Sequence, residues 1–131
     1  MAFLLREIGY GVSLFYYAEE NHEAVGIKCP VEHSLDGTGY CFVETTVPAP
    51  ITYSTGTYLG IDGGKLHSKP EVVLISKGFS LPENIVEYDE AEYLKLLFST
   101  GGSAPLQKFL FKNKIKKVEE KYSITGNFVL E

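Results

Sequence analysis

A chain of 131 residues that is 44% hydrophobic and carries 9 tyrosines and 8 phenylalanines is long and apolar enough to bury one core, and its aromatic content argues against disorder. A formal net charge of −5, from 17 acidic against 12 basic residues, excludes the basic footprint of a nucleic-acid binder. No apolar run approaches the length of a membrane span.

"AFLLREIG" reads as the end of a helix, with Phe3, Leu4, Leu5 and Ile8 as an apolar stripe and Arg6 and Glu7 facing out. Gly9 suits the left-handed position that ends a helix. No capping residue precedes the stripe, so the chain reads as starting partway through a longer helix. Arg6 and Glu7 cut the apolar run too short for a signal peptide.

"YGVSLFYYA" (10–18), "HEAVGIKC" (22–29) and "YCFVETTV" (40–47) read as strands from their β-branched and aromatic content. "PVEHSLDGTG" (30–39) is a loop punctuated by Pro30 and the glycines. The short connections predict an antiparallel meander. Residues 48–71 are turn-rich, with a short strand near Tyr58, and "EVVLIS" (71–76) is a further strand. "DEAEYLKLLFS" (89–99) is a helix with Asp89 as cap and Glu92 at capping-box spacing. Residues 103–122 suggest another helix, capped by Ser103, with a strand at 106–112 as the alternative. "ITGNFVLE" (124–131) is extended. The reading is an α+β fold on an antiparallel sheet with flanking helices. Strand edges left exposed would promote self-association.

Side-chain parity sorts the polar residues. In 22–29, His22, Ala24, Gly26 and Lys28 share one face, while Glu23, Val25, Ile27 and Cys29 share the other. The small residues beside His22 would let another element approach closely. In 40–47, Tyr40, Phe42, Glu44 and Thr46 share a face opposite Cys41, Val43, Thr45 and Val47. Glu44 in an aromatic stripe needs a partner, and antiparallel pairing can bring it to His22 directly or diagonally. A carboxylate on an imidazole is the orienting half of a nucleophilic triad; the alternative is a pair that only satisfies itself.

The two cysteines, Cys29 and Cys41, leave three options open: a disulfide, two buried thiols, or one reactive thiol. Parity sets both away from His22 and Glu44, so Cys41 replaces a nucleophile only if a bulge intervenes. Cys29, His33 and Cys41 lack usual zinc spacing, and no metal or cofactor site is assigned. "GIDGGK" (60–65) lacks the first glycine of a phosphate loop and the hydroxyl residue after Lys65. His67 reads as a surface loop residue, and "KNKIKKVEEK" (112–121) as a solvated helix face.

"GYGVSLFYYAEENHEAVGIKC", "GYCFVETT" and "TYLGIDGG" together resemble the C-terminal half of a transglutaminase-like, papain-like cysteine hydrolase core over residues 1–62, with residues 63–131 as a C-terminal α/β extension packed on the same domain. The resemblance implies acyl transfer or amide hydrolysis through a thioester on a protein or peptide substrate, with His22 as catalytic histidine and Glu44 as acidic third member. It places the nucleophilic cysteine at the start of the helix whose end is "LLREIG", ahead of Met1, so the chain alone is expected to be inactive. The rival reading is a non-catalytic binding or scaffolding α+β domain.

Overall fold

The computed structural model describes residues 1–45, 66–99, 113, 116, 117, 120, 121 and 123. Helix α1 (Ala2–Glu7) is followed by strands β1 (Val12–Tyr17), β2 (His22–Lys28), β3 (Tyr40–Val43) and β4 (Glu71–Ser76), and then by helix α2 (Val86–Ser99). The strands form one antiparallel sheet in the order β3-β2-β1-β4. This is the α+β arrangement that the strand spacing predicts, with β4 closing on the free edge of β1.

Both faces of the sheet are packed. One carries Phe15, Tyr17, Ala24 and Phe42, covered by Leu35 and Leu66. Leu35 comes from a pair of short 3-10 turns, Val31–His33 and Leu35–Gly37, in which Asp36 and Gly37 both take positive φ. The other face carries Ile27, Cys29 and Cys41, covered by Tyr88 of α2 with Leu5, Leu81 and Ile85 around it. α2 begins at Val86, three residues before the expected cap; Asp89 lies inside its first turn. Packing places that start: Tyr88 stacks on His33 with ring centroids 4.1 Å apart and donates its hydroxyl to the Pro82 carbonyl at 2.9 Å.

α1 ends as its glycine predicts. Gly9 has φ 97°, its N–H bonds the Arg6 carbonyl at 2.9 Å and that of Tyr10 bonds the Leu5 carbonyl at 3.0 Å, the paired closure of a left-handed cap. Its apolar stripe, however, is not buried as a unit. Leu5 packs on the core, while Phe3, Leu4 and Ile8 remain exposed. A helix of six residues turns one side chain per turn squarely to the sheet.

In the C-terminal region, Asn113, Lys116, Lys117, Glu120 and Lys121 are helical and exposed. The strand alternative at 106–112, the extended end at 124–131 and the turn-rich run 48–65 lie outside the described residues.

Candidate functional site

The β1–β2 turn delivers His22. Asn21, with φ 49°, closes it through its N–H to the Ala18 carbonyl at 3.4 Å, and β2 then starts with His22 across from Tyr17. β3 pairs Phe42 with Gly26 and Val43 with Val25. One further step in that register sets Glu44 beside Ala24, so Glu44 reaches His22 along the diagonal. Nε2 of His22 lies 3.1 Å from Oε2 of Glu44. The Glu44 side chain is fully covered, and 18% of the His22 side chain is exposed.

An ionised carboxylate can only accept, so Nε2–H of His22 donates to Glu44. The other carboxylate oxygen, Oε1, accepts the Thr45 N–H at 2.9 Å. Among the described residues, Nδ1 of His22 has no hydrogen-bond partner. The ring is therefore held at one nitrogen with the second left over.

Aromatic rings wall this pair on the inside. Tyr17 lies 6.4 Å from His22 and meets Phe42 edge-on at 6.4 Å, while Phe15 stacks on Phe42 at 6.2 Å. Among the described residues, the space beside Gly26 is filled by side chains of the neighbouring strand β1. A β-carbon on Gly26 would fall 2.9 Å from the Phe15 ring and 2.2 Å from Ser13 Oγ. The glycine makes room for the Ser13 hydroxyl and the Phe15 ring, so among the described residues the close approach comes from β1.

Among the described residues, the buried Tyr17 hydroxyl has no hydrogen-bond partner. Burial, and then the charges of Asp36, Glu20 and Glu44, push its pKa far above the ordinary tyrosine value. A second histidine–carboxylate contact lies at the same turn. Glu20 accepts from the His67 and Ser68 backbone N–H groups at 2.7 and 2.8 Å, and from the His67 ring and the Ser68 hydroxyl. Desolvation raises the Glu20 carboxyl pKa, but the hydrogen bonds from Ser68 and His67 outweigh it and hold the group well below the usual carboxylate range. His67 is exposed, as its loop position predicts. Its bond to Glu20, 47 residues away in the chain, has no local sequence signal.

Cys29 and Cys41 form a disulfide with Cα atoms 5.8 Å apart. Of the three options, the structure adopts the cross-link, and it lies in the core on the α2 side of the sheet. Neither sulfur is a thiol, which removes Cys41 as a substitute nucleophile and takes both cysteines out of any zinc set. Among the described residues, no three His, Cys, Asp or Glu side chains are grouped to hold a metal ion, and no helix is long and apolar enough to cross a membrane. Thr46 and the "GIDGGK" run lie outside the described residues.

No family model, curated protein or solved structure matches this chain.

Proposed function

We propose that His22 and Glu44 are the base and the orienting acid of a thiol-dependent acyl-transfer or amide-hydrolysing site of transglutaminase-like type, acting on a protein or peptide amide. The observation that carries this reading is the Nε2–Oε2 contact with Nδ1 left unpartnered. Glu44 selects the tautomer and stabilises the imidazolium. Nδ1 takes the proton of a thiol, the thiolate attacks the carbonyl carbon, and the imidazolium returns the proton to the departing amine. Water or a second amine then resolves the thioester.

The thiol is not Cys29 or Cys41, which are bridged, so the chain by itself is inactive toward amides. An added small thiol tests the base directly. N-acetylcysteine and p-nitrophenyl acetate are incubated with the protein, and thioester formation is followed. The native chain is expected to exceed His22→Ala by at least about tenfold, with Glu44→Gln in between. Equal rates for the native chain and His22→Ala would overturn the assignment.

The bridged cysteines also favour a second reading, a binding or scaffolding domain in which His22–Glu44 only ties β2 to the end of β3. That reading expects His22→Ala to change unfolding while leaving thioester formation untouched.

A further inference from the structure

We infer that two copies of this chain associate through β4, edge to edge and antiparallel, into one continuous sheet. The inference stands apart from the proposed chemistry. β4 is the outer strand beside β1, and among the described residues nothing pairs with its far side. Its sequence is a continuous apolar run, Val72-Val73-Leu74-Ile75, exposed by 41%, 41%, 52% and 39%. Pairing with β1 sets Val72 and Leu74 on one face and Val73 on the other, so both faces of the strand are open. An unbroken apolar run belongs to a strand covered on both faces, which β4 of the single chain is not. Edge strands that stay single carry a charge or a proline within them, and β4 has neither between Val72 and Ile75. Its one irregularity leaves Ile75 over between Leu74, which pairs with Ser13, and Ser76, which pairs with Val12. The stretch Glu71–Leu74 remains regular.

The charges choose the occupant. Glu71 stands at one end of the strand and Lys77 just past the other, both exposed. A two-fold antiparallel copy brings each Glu71 toward the partner's Lys77 end, twice over. A parallel copy would set acid against acid and base against base, which is unfavourable in a ladder. The required occupant is an extended apolar strand with its charges in reversed order, and a second copy supplies one. Exposed Phe3, Leu4 and Ile8 on α1, which touches β4, and exposed Phe79 just beyond the strand enlarge the apolar surface past the scattered apolar residues of an ordinary monomer.

Sedimentation equilibrium of the full chain over a wide concentration range tests this. The expected result is a monomer–dimer equilibrium. Glu71→Lys should weaken it about tenfold, and Glu71→Lys with Lys77→Glu should restore it. Leu74→Lys, exposed and checked for folding by far-UV circular dichroism, should abolish it. A monomer at every concentration would overturn the inference. So would a dimer whose affinity neither the single charge reversal nor Leu74→Lys alters, since its interface would lie elsewhere.

Discussion

Glu44 binds His22 at Nε2, from beyond the last paired residue of β3, while its second oxygen caps the Thr45 N–H. The carboxylate is fully covered, so each partner is costly to remove alone. His22→Ala should lower the unfolding free energy by about 2 kcal/mol, the order of a hydrogen bond to a charged group. A double-mutant cycle with Glu44→Ala, followed by urea denaturation, should return a coupling of about 1.5–3 kcal/mol. A coupling near zero would show that the contact does not form in solution.

Gly26 is set by Ser13 and Phe15, with Ser13 Oγ 2.2 Å from where a β-carbon would sit. Because a β-carbon there would meet the Phe15 ring at 2.9–3.0 Å, Gly26→Ala is expected to destabilise the protein by about 1–3 kcal/mol through overpacking. Adding Phe15→Leu should recover part of the loss at position 26. The same chemical-denaturation measurement checks both. A neutral Gly26→Ala would mean that the Ser13 hydroxyl and the Phe15 ring both move aside freely.

Strand existence and parity were legible because a period of two is local: His22 and Glu44 are assigned to one face, and Cys29 and Cys41 to the other, without knowing which strands pair. Register was not legible. Ten residues of loop separate the second and third strand readings, and it is the pairing of Gly26 with Phe42 that makes the His22–Glu44 contact diagonal. The capping pattern places the start of α2 too late because Asp89 is a good capping residue in isolation, while the docking of Tyr88 on His33 is a tertiary preference that no capping rule contains. The Glu20 bridge to His67 and Ser68 was invisible for the same reason. The stripe on α1 misled in the opposite direction: its periodicity is real, but only Leu5 finds a core to enter.

The disulfide joins β2 to β3 across a sequence separation of 12. Closing a loop of that size in the unfolded chain contributes about 3 kcal/mol. Cys29→Ser with Cys41→Ser should therefore lower the urea midpoint, with a loss of that order. The native protein should show no thiol reactive toward a disulfide reagent until it is reduced. A reactive thiol in the oxidised native protein would reopen Cys29 or Cys41 as a nucleophile.

Glu20 predicts behaviour in acid. Its folded pKa is depressed by the Ser68 and His67 donors, so its stabilisation is fully present above the unfolded value of about 4.3. That stabilisation is lost only as pH falls from there toward the lower folded value. Hydrogen exchange at the His67 and Ser68 amides should stay protected below the ordinary carboxylate range. Glu20→Ala should remove that protection at every pH. Equal protection in the variant would show that the segment is held by something other than Glu20.

Tyr17 predicts the alkaline limit. Its pKa is raised first by burial and then by Asp36, Glu20 and Glu44. The folded state therefore keeps its phenolic proton after the unfolded chain, which titrates near pH 10, has released it. The sign follows: stability is intact below that pH and falls as pH rises from there toward the folded value, by about 1.4 kcal/mol per unit. Tyr17→Phe removes both the titration and a buried hydroxyl that has no hydrogen-bond partner among the described residues, while keeping the ring against Phe42. The variant should be more stable than the native protein by about 1 kcal/mol at neutral pH, and its decline above pH 10 should be shallower. Urea midpoints measured from neutral to alkaline pH separate the outcomes. A Tyr17→Phe curve that is lower at neutral pH and parallel to the native one in alkali would show instead that the hydroxyl has a partner in solution and that its proton is not held by burial.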